Sequence, residues 1–166
     1  MLNTIGYEGA RPEDLIRTLQ AAGISVLFDV RDRAQSRRPG FSKSALSQSL
    51  ADAGIAYVHY RELGDPKEGR EAARAGDIVT FRKIFAAVLE RPDAVAAVAA
   101  VADASTKADV CMLCYERDPG QCHRTLIADK IETITGQKTR HLGVRRFEPS
   151  QQQEGRVRYP CESAAA

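Results

Sequence analysis

Short apolar runs and segments of helical periodicity alternate along the chain. Residues 25–30 and 110–114 are apolar with almost no polar interruption, which is typical of strands buried on both faces of a parallel sheet. Three further short apolar runs resemble them. We therefore predict strands over residues 1–5, 25–30, 55–60, 110–114 and 139–142.

Between these runs, apolar residues recur at the three- and four-residue spacing of a helix. The segment after Arg11 has proline and acidic residues in its first turn, and Gly23 follows its last apolar position. Ser42 and Asp77 stand where helix N-caps are expected. The pattern predicts helices over residues 12–22, 42–53, 77–89, 92–102 and 122–135.

The alternation of strands and helices predicts an α/β fold, a three-layer sandwich whose mostly parallel sheet has about five strands and helices on both faces. Ligands of such sheets bind beyond the carboxyl ends of the strands. We expect one α/β domain over residues 1–144 and a loosely ordered tail over 145–166.

Residues 61–77 are rich in charge and glycine, which predicts a long loop or mobile lid, or a plain solvated connector.

Composition excludes several classes of protein. Of the 166 residues, 43% are hydrophobic and 28% are charged, which is ordinary for a globular domain and unlike disordered, collagen-like or disulfide-rich chains. The longest apolar stretch, 94–102, is far too short to cross a membrane, and the first residues do not resemble a secretory signal. We expect a cytoplasmic protein whose four cysteines are reduced, and no membrane partner.

Positive charge is concentrated after the second predicted strand, although the net charge of the chain is only +2. Residues 31–43 contain five basic side chains and one acidic side chain. This concentration predicts that an anion binds there, most simply a small anionic substrate, with nucleic acid as the alternative partner. Phe41 is the single aromatic residue of the segment, which gives little support for reading of bases. The basic residues are Arg31, Arg33, Arg37, Arg38 and Lys43.

Candidate chemistry is concentrated in residues 113–127, where a strand, a turn and a helix start follow one another. We expect Cys114 or Cys122 to be a nucleophile with a lowered pKa, because free helix amides favour a thiolate, and the strand-end position favours Cys114. His123 or Glu116 would move a proton. Arg124 would bind the anion together with Arg31, Arg37 and Arg38. Asp29 would orient an arginine through a buried ion pair.

A metal site formed by Cys111, Cys114, Cys122 and His123 is the alternative use of these residues. Residues three apart on a strand project to opposite faces of the sheet, so Cys111 and Cys114 are not expected to reach one ion. We therefore predict no metal and no cofactor, and we expect Cys111 to be a buried core residue. Cys161 lies in the predicted tail.

The order of several motifs resembles that of the domain of unknown function family 488. The motifs are Asp29-Val30-Arg31, Leu63-Gly64 and above all Cys114-Tyr115-Glu116 followed by Cys122-His123-Arg124. The resemblance implies a fold and a site, the latter including Asp29, Arg31, Arg37 and the residues of the cysteine motifs, but no reaction. A fainter likeness is to rhodanese-like sulfurtransferases, which also join an Asp-Val-Arg strand end to a later cysteine loop.

Three functions are consistent with these residues. The first is a cysteine-dependent transferase or hydrolase acting on a phosphate- or sulfur-containing anion. The second is a module that binds the phosphates of a nucleotide or nucleic acid without catalysis. The third is a redox switch that uses a disulfide between Cys114 and Cys122. The oligomeric state has no signal in the sequence.

Overall fold

The computed structural model describes residues 1–148, which form a five-stranded, entirely parallel sheet with helices on both faces. The predicted α/β fold is thus confirmed. The strands have the spatial order β3-β2-β4-β1-β5. They are β1 (Leu2–Gly6), β2 (Val26–Asp29), β3 (Ala56–His59), β4 (Val110–Cys114) and β5 (Arg140–Leu142). The helices are α1 (Pro12–Ala21), α2 (Lys43–Asp52), α3 (Lys67–Arg74), α4 (Ile78–Leu89), α5 (Pro92–Lys107) and α6 (His123–Thr135), with 3₁₀ turns at Arg61–Leu63 and Pro119–Gln121.

Two hydrophobic cores lie on opposite faces of the sheet. One core joins the sheet to α1 and α2, and the other joins it to α4, α5 and α6. Successive side chains of a strand point to opposite faces, so β4 sends Cys111 and Leu113 into the first core and Met112 and Cys114 into the second. Cys111 and Cys114 thus lie on opposite faces of the sheet, as expected from the alternation of a strand.

The strand order brings three chemically distinctive strand ends together. β4 lies between β2 and β1, with Gly6 paired to Cys114 and Asp29 paired to Leu113. From β1 the chain passes to β2 and then to the edge strand β3, and it later returns to β4, which lies between β2 and β1. A crevice forms beyond such a change of direction in a parallel sheet, and here it lies beside Cys114.

The segment predicted as a long loop or lid contains a helix. α3 and the 3₁₀ turn that precedes it occupy much of residues 61–77, and α3 packs against α4. Its sequence, KEGREAAR, has charged residues at most positions, so it lacks the apolar stripe from which a helix is recognised. Position 69 of this helix requires glycine, because the β-carbon of any other residue would lie 2.0 Å from Asp65 Oδ1.

Other helix boundaries follow the predicted signals. The Asp77 side chain accepts a hydrogen bond from the backbone nitrogen of Thr80 at 3.0 Å, and Gly136 ends α6 with a φ of 70°. α5 continues to Lys107, beyond the predicted end at residue 102. No helix within residues 1–148 has the length and apolar character required to cross a membrane.

The first residues of the predicted tail lie against α1. The backbone nitrogen of Arg145 donates to Thr18 Oγ1, and that of Phe147 donates to Asp14 Oδ1, each at 3.0 Å. The rest of the predicted tail, which includes Cys161, lies outside the described residues.

Candidate active site

A cleft of about 930 Å³ opens at the carboxyl ends of the strands. The turn after β2, the loop after β4 and helix α3 all contribute to its lining, so the basic segment and the cysteine loop share one hollow. Among the described residues, six arginines and three carboxylates line it, which makes it electropositive. These are Arg31, Arg33, Arg37, Arg38, Arg70 and Arg74, with Asp32, Asp65 and Glu116.

Asp29 and Arg31 form a buried ion pair at the end of β2. Asp29 is fully buried and Arg31 is 6% exposed. The guanidinium binds both carboxylate oxygens, with Nε at 2.8 Å from Oδ1, and its Nη1 donates to Tyr7 Oη and the Phe41 carbonyl. Four of its five N–H groups are thereby engaged. Arg31 therefore mainly fixes the basic loop to the end of β1, and Asp29 holds its guanidinium in place.

Arg38 and Arg124, which were also predicted to bind an anion, donate instead to groups of the protein itself. Arg38 donates to the backbone carbonyls of Tyr7 and Ala10, so it fastens the basic loop. Arg124 is buried and lies outside the cleft lining, and it donates to Thr4 Oγ1 and to the carbonyls of Glu116 and Arg117. Its predicted anion-binding role is corrected to that of holding the cysteine loop.

Three exposed arginines of the cleft have unpaired side chains in the described part of the structure. Arg37, which was predicted, and Arg33 and Arg74 line the cleft with no hydrogen-bond or ion-pair partner within residues 1–148. Arg70 binds Asp32 at 3.1 Å and so contributes less free charge. The roles of Arg70 and Arg74 could not be found from sequence, because α3 itself was not predicted.

Cys114 lies on the floor of the cleft with polar groups on two sides. Its Sγ is 2.9 Å from Glu116 Oε2 and 3.6 Å from His123 Nδ1. Cys122 Sγ is 3.9 Å from the same nitrogen but is absent from the cleft lining. Of the two predicted nucleophiles, Cys114 therefore has the better access to a ligand, and both predicted proton carriers touch it.

The tautomer of His123 is determined by a backbone carbonyl. Nε2 lies 2.9 Å from the Val30 carbonyl oxygen, which can only accept, so Nε2 carries a hydrogen. In the neutral ring Nδ1 is then the free acceptor, and it is the atom that faces both sulfurs. The ring of Phe85 packs against the imidazole at a centroid distance of 5.0 Å and limits its movement.

The thiols do not have the lowered pKa that the sequence suggested. Burial raises the pKa of both, and the negative charge of Glu116 raises that of Cys114 further, against a hydrogen bond from Cys122 that lowers it. Burial also disfavours ionised Glu116, but hydrogen bonds from the two thiols outweigh it and lower the pKa of this carboxyl. The resting site thus holds a neutral thiol at Cys114 that donates to a carboxylate.

His123 can keep a proton that a thiol releases. Burial by itself lowers the pKa of the imidazole, but the neighbouring Cys122 and the Val30 carbonyl outweigh burial and raise the pKa to about 9. Four potential metal-ligand atoms, from Cys114, Glu116, Cys122 and His123, lie within 4.8 Å of one another. Cys111 is not part of this group, whereas Glu116, which the sequence argument did not consider as a ligand, is.

Asp65 is a site residue that the sequence analysis missed. It precedes α3, lines the cleft and is 7% exposed, and its Oδ1 is buried with no hydrogen-bond partner in the described part of the chain. Burial raises the pKa of Asp65 to about 6, against the lowering effects of His123 and Arg70. The only available signal was its place between Gly64 and Pro66, just before an unrecognised helix.

Asp65→Asn should stabilise the protein relative to the wild type, and this gain in the free energy of unfolding should be larger at neutral pH than at acidic pH. Because the folded-state pKa is raised from 3.8 to about 6, stability from the protonated carboxyl is fully present below pH 3.8 and is lost as the pH rises through 6. Asparagine stays neutral, so the relative gain between pH 4 and pH 8 should be about 2–3 kcal/mol. Urea denaturation at both pH values measures it, and an equal effect at both would contradict the buried-carboxylate account.

Comparison with models of known protein families gives a match to this chain. The family model described as domain of unknown function DUF488 matches residues 11–131, more than half of the chain. No match is found among curated proteins or among solved structures. The matched segment contains every residue predicted for the site, and the likeness to rhodanese-like sulfurtransferases stays a prediction.

Proposed function

The chain belongs to the family of the domain of unknown function DUF488, and we propose that it is a cysteine-dependent transferase or hydrolase acting on a small phosphate- or sulfur-containing anion. The observation that carries this proposal is the contact between Cys114 and an imidazole of fixed tautomer on the floor of an electropositive cleft. Cys114 is the nucleophile and His123 the proton carrier. The chemistry needs reduced thiols, in line with the cytoplasmic location expected from the sequence.

The covalent step moves one proton and one electron pair. When His123 is in its neutral form, the Cys114 thiol gives its proton to Nδ1, and a sulfur electron pair forms a bond to the electrophilic atom of the substrate. The bond from that atom to the leaving group breaks, and the leaving group takes the electron pair and then the proton from His123. Water then takes a phosphoryl group from the sulfur, or a thiophilic nucleophile such as cyanide takes a sulfane sulfur, and the Cys114 thiolate that leaves regains a proton from solvent.

The environment of His123 supports this role. The Val30 carbonyl holds Nε2–H and leaves Nδ1 toward Cys114, which is the orientation that a general base requires. The 3.6 Å separation is within the range of a thiol contact, and such contacts tighten when a substrate excludes water. Glu116 accepts from the same thiol and is the second group able to remove its proton.

The anion would be bound by the wall of the cleft that faces Cys114, which is formed by the turn after β2 and by α3. Arg33, Arg37 and Arg74 offer guanidinium groups that no described residue neutralises. Guanidinium groups bind phosphate and sulfate oxygens through paired hydrogen bonds, which orient a substrate as well as attract it. The same observation favours a second candidate function, a module that binds a nucleotide or nucleic-acid phosphate without catalysis.

A test uses two simple probes, p-nitrophenyl phosphate and thiosulfate, on the reduced, metal-free protein. Cys114→Ser should lower turnover about 10³-fold or more, and His123→Gln about 10²–10⁴-fold. Mass spectrometry of peptides should find the transferred group on Cys114. Cys111→Ala is the matched control, because this cysteine lies on the same strand but packs on the other face of the sheet.

Anion binding separates the two candidate functions. Pyrophosphate binding should weaken in Arg37→Ala and persist in Cys114→Ser. Pyrophosphate binding without any adduct on Cys114 or turnover of either probe would contradict the enzyme and favour the binding module.

A further inference from the structure

Four side chains on the floor of the cleft have the spacing of a metal site. Cys114 Sγ, Cys122 Sγ, His123 Nδ1 and a carboxylate oxygen of Glu116 all lie within 4.8 Å of one another. A tetrahedral zinc ion bound by sulfur and imidazole nitrogen sets a sulfur–nitrogen distance of about 3.6 Å. The two sulfur–nitrogen distances here are 3.6 and 3.9 Å, so the atoms are already close to those positions. The Glu116 carboxylate, 2.9 Å from Cys114 Sγ, would move outward by several tenths of an ångström.

The types of these ligands restrict which ion fits. Two sulfurs and one imidazole select zinc and other thiophilic ions, whereas magnesium and calcium need oxygen ligands. The group is also well enclosed, since both cysteines are 3% exposed and His123 is 5% exposed. We propose that the floor of the cleft is a binding site for zinc or another thiophilic divalent cation, held by Cys114, Cys122, His123 and Glu116.

The groups around the ligands are arranged to keep them in place. His123 donates its Nε2–H to the Val30 carbonyl, the kind of outer contact that orients a metal-binding imidazole. Arg124 holds the backbone carbonyls of Glu116 and Arg117 and so fixes the loop between the two cysteines. Binding of the cation replaces the two thiol protons, which pass to solvent, and no electrons are transferred.

The cation and the substrate compete for one sulfur. A zinc ion on Cys114 uses the electron pair with which this residue would attack, so metal binding and nucleophilic attack exclude each other. The cation is therefore an inhibitor of the enzyme, a consequence that rests on the proposed function, whereas the binding site itself does not.

Cobalt provides a direct readout of the site. The reduced, chelator-treated full chain is titrated with Co²⁺, which reports four-coordinate thiolate ligation through its visible and charge-transfer absorption, and Zn²⁺ is then added as competitor. We expect one ion per chain and displacement by Zn²⁺. Cys122→Ser should weaken binding by at least about 100-fold, because removal of an outer partner alone costs 10–100-fold. Cys111→Ala should bind as the wild type does.

A second ligand variant and a folding measurement distinguish loss of metal binding from misfolding. Glu116→Gln, at a partly exposed position, should also weaken the affinity, and thermal unfolding monitored by circular dichroism verifies that each variant is folded. Absorption typical of six-coordinate cobalt, or binding that survives both Cys122→Ser and Glu116→Gln, would overturn the site. Turnover by the metal-free protein tests the proposed function separately, so failure of one proposal is distinguishable from failure of the other.

Discussion

Replacing Arg31 with alanine should lower the free energy of unfolding by about 3–5 kcal/mol, because it leaves a carboxylate buried without its cation. Asp29 is fully buried, and the other side chain that binds it is Tyr57, whose hydroxyl donates to Oδ2 at 2.7 Å. The backbone nitrogen of residue 31 also donates to Oδ1, at 3.1 Å, but two neutral donors do not replace the charge of a guanidinium that contacts both oxygens. The change also removes the hydrogen bonds to Tyr7 and Phe41 that fasten the basic loop.

The experiment is urea denaturation with two comparisons. Arg61→Ala is the matched control, since Arg61 is 74% exposed and lies 3.6 Å from its partner Asp32, and its loss should cost less than about 1 kcal/mol. Adding Asp29→Asn to Arg31→Ala should recover part of the loss, because the buried charge is gone. A loss below 1 kcal/mol in Arg31→Ala, or no recovery in the double variant, would show that the ion pair does not stabilise the strand ends.

Gly6→Ala should have the next largest effect and should act directly on the site. A β-carbon at this position would lie 1.8 Å from the Glu116 carbonyl oxygen and 2.6 Å from its carbon, so the backbone itself must shift. Overpacking of this kind costs about 1–3 kcal/mol, and contact with backbone places this variant at the upper end. The cysteine loop would move away from β1 and break the hydrogen bond from the Glu8 nitrogen to the Tyr115 carbonyl, now 2.8 Å.

Hydrogen exchange and denaturation together test this prediction. The Glu8 amide should exchange faster in Gly6→Ala, and the urea midpoint should fall. Gly143→Ala is the matched control, because no atom lies within 4 Å of a β-carbon there and its φ is not positive, so its stability should stay the same or rise slightly. Unchanged exchange at Glu8 in a destabilised Gly6→Ala protein would mean that the clash is relieved elsewhere.

Much of the fold could be predicted because a strand that is buried on both faces has an almost uninterrupted apolar sequence. The runs at 25–30 and 110–114 had no other good interpretation, and their polar ends indicated where a site would form. A buried ion pair between Asp29 and either Arg31 or Arg124 could be predicted for a similar reason, since a charge that ends an apolar strand needs a partner nearby. These features depend on local sequence and on one topological rule.

What escaped prediction depends on contacts between distant parts of the chain. Arg124 looks like a surface cation in sequence, and its burial arises only because the cysteine loop offers two carbonyls to it. The direction of the thiol pKa shifts also requires knowledge of depth, since helix amides and burial act oppositely on a sulfur. α3 has no apolar stripe, so the wall that contributes Asp65 and Arg74 had no signal.

The two walls of the cleft differ in rigidity, which in the proposed enzyme would separate anion binding from the reaction at sulfur. The wall formed by β4 and α6 is locked by buried contacts, whereas the guanidinium groups of Arg33, Arg37 and Arg74 extend from the other side without structural duties. Exchanging those three side chains would alter which anions enter at little cost to folding. On the proposed function, exchanges at these three positions would change the preferred ligand and leave the sulfur chemistry of the floor as it is.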